Sequence, residues 1–172
     1  MNFHISYNNP MKFIADCHLG KIAKYLRIFG FDTLYFQSID DDDIIEIAQK
    51  EERFLLTSDK ILYQRMKHHD ALYLVHAGYE EQLKEIFHHY KLFDKTKPLS
   101  RCIKCNGELE KIEKLEVIEE LKAKTRKYFD TFEKCKECGR VYWHGDHYKN
   151  MLKFTEEFIK SKILKKTKKM RV

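Results

Sequence analysis

The sequence predicts an α/β fold, a mostly parallel sheet with flanking helices, followed by a small cysteine-rich domain and a basic terminal helix. Three observations predict it. Between residues 11 and 90, short apolar runs alternate four times with segments of helical periodicity. Two C-x-x-C pairs come next. Positive charge then gathers at the end: residues 149–172 carry nine Lys/Arg and two Glu, whereas residues 1–148 are one charge short of neutral.

The elements follow in order. "MKFIAD" reads as a strand opened by Met11, so residues 1–10, polar and without a signal-peptide core, read as a dispensable N-terminal extension. "HLGKIAKYLRIFG" places Leu19, Ile22, Ala23, Leu26 and Phe29 at helical spacing and stops at Gly30, the residue type that ends helices in a left-handed turn. "FDTLYF" is a strand, and "SIDDDDIIEIAQKEE" is a helix with aspartates at its cap. "RFLLTSD", "KILYQRMKHH", "ALYLVHA" and "YEEQLKEIFHHYK" repeat the alternation as strand, helix, strand, helix. "FDKTKPLS" breaks the periodicity as a linker, so the α/β domain is expected at 11–97 and the cysteine domain at 98–148, with "EKIEKLEVIEELKAKT" as a helix inside it. Residues 149–172 close the chain as a basic helix and tail, suited to polyanions. No run of 18 apolar residues exists, so no membrane span is expected.

Cys102 and Cys105, then Cys135 and Cys138, form two knuckles separated by 29 residues. Each can aim two thiolates at one ion, and together they supply the tetrahedral sulfur set that zinc prefers. With all four positions filled, the zinc is expected to be structural. Paired thiols without a secretory signal point to metal ligation and a cytoplasmic location rather than disulfides. Directly after the second knuckle, "GRVYWHGDH" sets Trp143 and His147 among cations, a combination able to stack bases and pair phosphates, or in Trp143's case to pack as a small core.

Asp16 and Asp59 each end an apolar strand, and Asp40, Asp41, Asp42 and Asp43 enter the second helix. In a parallel sheet all these positions share the carboxyl edge, where ligands bind. Carboxylates gathered on one rim repel unless a cation sits between them, and oxygen ligands suit Mg²⁺ or Mn²⁺. Taken singly, an aspartate after a strand is usually a helix cap, and four in succession are most simply a solvated helix start. Residue 18 is His, so the D-x-D of a haloacid-dehalogenase phosphatase is absent, and no phosphate-cradling glycine motif occurs. Cys17 beside His18 lacks a base and an orienting partner for nucleophilic catalysis.

The segments "FIADCHLGKIAKYLRIFGFDTLYF", "DDDIIEIAQKEERFLLTSDK", "RCIKCNGEL" and "CKECGRVYWHGDHYKNM" resemble the Mut-seven C-terminal RNase domain family, over roughly residues 11–151. The resemblance implies a PIN-like nuclease domain fused to a zinc ribbon, and a metal-dependent ribonuclease acting on RNA. Asp16 matches the acid after the first strand, Asp59 the T-x-D acid, and Asp41 the acid at the second helix entry, with Asp40 or Asp42 one residue away. Lys24 and Arg27 match basic positions on the first helix and, with Lys21, are expected to meet RNA phosphate. Glu46 and Asp70 are candidates for a fourth acid. Two positions depart from the family pattern: Ser58 stands where Arg is usual, and Glu52 where Gly is usual. The Ser58 departure leaves open an RNA- or ribosome-binding adaptor with a degenerate site. A toxin-type PIN nuclease is a further alternative, disfavoured by the added zinc lobe.

Overall fold

The structure, a computed structural model, describes residues 11–66 and 70–169, with side chains as far as residue 161. The expected extension 1–10, residues 170–172 and the basic side chains beyond 161 lie outside the described residues. The first lobe holds four parallel strands, β1 (Lys12–Ala15), β2 (Asp32–Tyr35), β3 (Phe54–Thr57) and β4 (Ala71–Tyr73), in the order β2-β1-β3-β4. Helices α1 (Gly20–Ile28), α2 (Asp41–Lys50), α3 (Lys60–Arg65) and α4 (Tyr79–His89) alternate with them.

Successive residues of a strand face opposite sides, and β1 shows the consequence. Phe13 joins a cluster with Leu26, Phe29 and Phe87 from α1 and α4, while Ile14 joins Ile44, Leu55 and Leu62 on the α2 and α3 side. Both faces are thus covered, as a parallel sheet requires. From β1 the chain runs outward to β2; from β3, on β1's other flank, it runs outward to β4. The gap between the carboxyl ends of β1 and β3 is therefore the topological switch point.

Three helices end in the same left-handed turn. After α1, the N–H of Gly30 donates to Arg27 O (3.0 Å) and that of Phe31 to Leu26 O (2.9 Å), with φ of 89° at Gly30. The Glu52 and Arg53 amides close α2 on Gln49 and Ala48 in the same way, and Leu92 closes α4 on Phe87. Glycine adopts this conformation freely, whereas Glu52 (φ 54°) and Lys91 (φ 53°) do so at a cost of about 1–2 kcal/mol. A glycine at position 52, as the resemblance leads one to expect, would take this turn without that cost. At Gly30 no side chain fits, because a Cβ would lie 2.1 Å from Lys97 O.

The second lobe is an antiparallel sheet of β5 (Leu109–Ile112), β6 (Phe132–Cys135) and β7 (Val141–Trp143), in that order. The charged segment expected to be one helix is instead β5, a short α5 (Lys114–Val117), a 3-10 turn (Ile118–Glu120) and α6 (Ala123–Tyr128). A reciprocal capping box between Glu113 and Glu116 starts α5 afresh. Val117, Leu121 and Phe132 form this lobe's small core.

The final helix, α7 (Asp146–Lys169), returns to the first lobe, where Phe158 is buried in the α1/α4 cluster beside Phe154 and Ile159. The expected linker is likewise pinned: the amides of Lys97 and Leu99 donate to the last carbonyls of α1, Phe29 O (2.9 Å) and Ile28 O (2.8 Å). Among the described residues no helix is long and apolar enough to cross a membrane.

Candidate functional site

The switch point is built around Thr57. This threonine ends β3 fully buried, and its hydroxyl donates to Asp16 Oδ2 (2.8 Å) while accepting the Asp59 N–H (2.9 Å). One hydroxyl thereby orders both strand-end aspartates. Asp16, only 5% exposed, continues β1 by donating its N–H to Leu56 O (3.0 Å). Asp59 is exposed and caps α3, its Oδ1 accepting from the amides of Ile61 (2.6 Å) and Leu62 (3.1 Å). The T-x-D pattern carries the signal for Thr57.

Asp40 is the N-cap residue of α2, and Asp41 and Asp42 lie in its first turn, all three exposed. Arg65 pairs with both Asp41 (3.1 Å) and Asp42. The structure therefore does not gather Asp16, Asp41 and Asp59 around one point. Among the described residues, two groups of potential ligands bring their donor atoms within 4.8 Å of one another: the four knuckle cysteines, and Asp16 with Cys17 and His18. The physical reasons are local. Asp59 turns its Oδ1 to the cap of α3, and Arg65 supplies a cation to Asp41 and Asp42. All of these carboxylates nevertheless sit at the carboxyl edge by topology, and hard oxygen donors of this kind fit a Mg²⁺ or Mn²⁺ ion. Asp70 precedes β4 and so lies at the opposite edge, while Glu46 is exposed on α2.

The surroundings of Cys17 weaken it as a nucleophile. Its hydrogen bond to Asp16, its partial burial and the Asp16 charge raise the thiol above its ordinary range, holding it protonated. The backbone around it is pinned by Tyr35, whose hydroxyl donates to Cys17 O (3.1 Å). Gly20 makes room for that ring, since a Cβ there would lie 2.8 Å from Tyr35 Cζ.

The basic residues of α1 divide. Lys21 and Lys24 are exposed, with the Lys21 ammonium 3.4 Å from the centre of the Tyr79 ring. Arg27, expected to meet phosphate, is 6% exposed and serves another purpose. Its guanidinium donates to Thr33 O (2.9 Å), Ile103 O (3.1 Å) and Lys104 O (3.0 Å), bolting the first cysteine knuckle to the α/β lobe. Asp32 completes the joint, accepting from Arg53 (2.6 Å) and Asn106 (2.8 Å) with Arg101 at 3.5 Å.

The four cysteines form one cluster, Cys102 and Cys135 buried, Cys105 and Cys138 exposed. The Cys102–Cys138 and Cys105–Cys135 sulfurs lie 3.6 and 3.4 Å apart, near the tetrahedral edge of about 3.8 Å set by a 2.3 Å metal–sulfur bond. In each knuckle the residue after the second cysteine takes a left-handed φ, 77° at Asn106 and 69° at Gly139. Burial pushes the Cys105 thiol up to about 12, whereas at Cys102 burial is outweighed by the Tyr142 hydroxyl (3.0 Å) and nearby amides, which bring the thiol down to about 6. Four sulfurs so close cannot all ionise without a cation, and the cluster could hold a metal ion. The set fits a zinc ribbon.

Trp143 is 40% exposed on β7, so it is not the core residue of this lobe. His147 is exposed in the first turn of α7. Among known proteins, a family model described as Mut7-C RNAse domain matches residues 11–155. No curated protein and no solved structure matches the chain.

Proposed function

Because the chain belongs to the Mut7-C RNAse domain family, we propose that it is a divalent-metal-dependent ribonuclease of PIN-like type, hydrolysing RNA phosphodiester bonds to leave a 5′-phosphate. The observation that carries this reading is the Asp16–Thr57–Asp59 network at the switch point between β1 and β3. Asp16 and Asp59 would hold Mg²⁺ or Mn²⁺, together with Asp41 or its neighbours Asp40 and Asp42. Such an ion supplies Lewis-acid stabilisation of the charge that develops on the phosphate. Thr57 keeps the Asp16 carboxylate fixed in a buried position, so that its orientation needs no adjustment during reaction. Lys21 and Lys24 supply exposed ammonium groups for backbone phosphates, leading away from this edge along α1. The four cysteines would hold a structural Zn²⁺, and the zinc lobe, with Trp143 and His147, and the basic tail would hold RNA.

A second reading rests on the Arg65 pairing. With Asp41 and Asp42 neutralised by a guanidinium and Ser58 in place of arginine, the chain would bind RNA without cutting it. One experiment separates the two: cleavage of labelled single-stranded RNA with Mg²⁺ or Mn²⁺, beside RNA binding by the same samples. The ribonuclease reading expects cleavage that EDTA abolishes and that Asp16→Asn lowers at least ~100-fold with binding retained. Binding without cleavage across several divalent ions would select the adaptor.

A further inference from the structure

We propose that the second lobe carries a nucleotide-binding pocket, formed between the first knuckle, the entry to α6 and β7, that takes one unpaired nucleotide of an RNA strand. The inference rests on RNA being the ligand and adds a specific site for it, remote from the carboxylates.

A cavity of about 570 Å³ opens beside Trp143, within the ~300–1,000 Å³ span of small-ligand sites. Lys104, Lys122 and Arg140 line it, all three exposed. No ion pair is found for any of them among the described residues. The cavity's one carboxylate, Glu120, is already neutralised by Lys134 at 2.9 Å. Besides the knuckle's Cys138, which also lines the cavity, the rim is therefore set by three cationic side chains without a paired carboxylate.

The aromatic wall is held in position. A Cβ on Gly145 would lie 3.0 Å from Trp143 Nε1, so the indole rests against bare backbone there while the residue stays 40% exposed. An exposed indole beside three cations matches a ligand with a planar ring and an anionic group, which is a nucleotide. Stacking gives affinity for any base, and the cations take the phosphates on either side.

The pocket also lies on a path from the acidic edge. Lys21, Lys24 and Arg27 follow one another every three residues along α1, and Arg27 grips the carbonyl of Lys104. The nine-residue α1 spans about 13 Å. A strand leaving the carboxylates along α1 would reach Lys104 with its phosphates over Lys21 and Lys24.

Trp143 is the chain's sole tryptophan, so its emission reports on the pocket directly. The test titrates full-length, metal-replete Asp16→Asn protein with a short single-stranded RNA, adenosine monophosphate and inorganic phosphate. Binding is read by Trp143 emission and, for labelled RNA, by anisotropy. The pocket predicts saturable quenching by RNA and, more weakly, by the mononucleotide. It predicts that Trp143→Ala raises the RNA Kd by about 5- to 100-fold, the span of one lost base stack. Lys122→Ala with Arg140→Ala should weaken binding by a similar factor and flatten its salt dependence. Retained metal content checks folding, and the double lysine–arginine variant decides alone if Trp143→Ala loses metal. RNA binding with unchanged Trp143 emission, or with unchanged Kd in these variants, overturns the pocket. Quenching by RNA that the wild-type protein does not cleave would retain the pocket and remove the ribonuclease reading. Cleavage without quenching would do the reverse.

Discussion

Asp59 meets two demands at one carboxylate. It caps α3 through two amide hydrogen bonds, and it is a proposed metal ligand on the sheet edge. Asparagine separates the two, because it caps a helix about as well as aspartate but carries no charge. Asp59→Asn is expected to stay within about 1 kcal/mol of wild type in urea unfolding, while Asp59→Ala loses about 1 kcal/mol more. Both should lower RNA cleavage at least ~100-fold; wild-type cleavage by Asp59→Asn would reduce Asp59 to a cap. Glu52 offers a prediction of opposite sign. The residue holds φ of 54° at the end of α2, where its backbone bonds match those of Gly30. Glu52→Gly should therefore stabilise the protein by about 1 kcal/mol, read as a higher urea midpoint at unchanged slope. A loss of stability would show that the Glu52 side chain contributes more than its strained backbone costs.

At the scale of elements, α7 joins the two lobes by packing rather than by charge. Phe158 lies against the rings of Phe29, Phe87, Phe93 and Phe154, at centroid distances from 4.9 to 6.1 Å. Phe158→Ala should cost about 3–5 kcal/mol in chemical denaturation, as for a core phenylalanine; a loss below about 1 kcal/mol would return α7 to the status of an appended tail. The local pattern had revealed the helix and its basic character, and the four strand–helix alternations of the first lobe were legible for the same reason: each is a contiguous run with one period. What a long-range partner decides was not legible. "LEKI" is as charged as its surroundings, and it becomes β5 because Leu109–Ile112 pair with Cys135–Phe132 across 20 or more residues of sequence. The surroundings of Arg27 were hidden by the same route. Its spacing on α1 matches Lys21 and Lys24, but Ile103 and Lys104 present their carbonyls to it only once the knuckle has docked. The candidate site divides likewise. The strand-end acids and the four cysteines are readable as motifs, whereas the Thr57 relay and the Arg65 pairing depend on side chains meeting across elements.

At the scale of the whole molecule, one of the joints between the lobes is charged, and acid should reveal it. Asp32 starts β2, Arg53 precedes β3, and Arg101 and Asn106 flank and follow the first knuckle, so their mutual contacts tie the α/β lobe to the cysteine lobe. Burial alone would push the Asp32 carboxyl up. Hydrogen bonds from Arg53 and Asn106, with the charges of Arg53 and Arg101, outweigh it and hold the carboxyl below its ordinary value of 3.8. In the unfolded chain the same group titrates at the ordinary value. The stabilisation it confers is thus fully present above that value and is lost as pH falls through the depressed folded one. Urea unfolding followed from neutral to strongly acid solution should therefore show wild type losing stability faster than Asp32→Asn below about pH 4. At neutral pH the variant should be weaker by about 3 kcal/mol, since two arginines lose their shared partner. The two profiles should converge on the acid side, where both proteins carry a neutral side chain at position 32. Coincident profiles would mean that the lobes are held by Arg27 and the α7 packing, with Asp32 adding nothing.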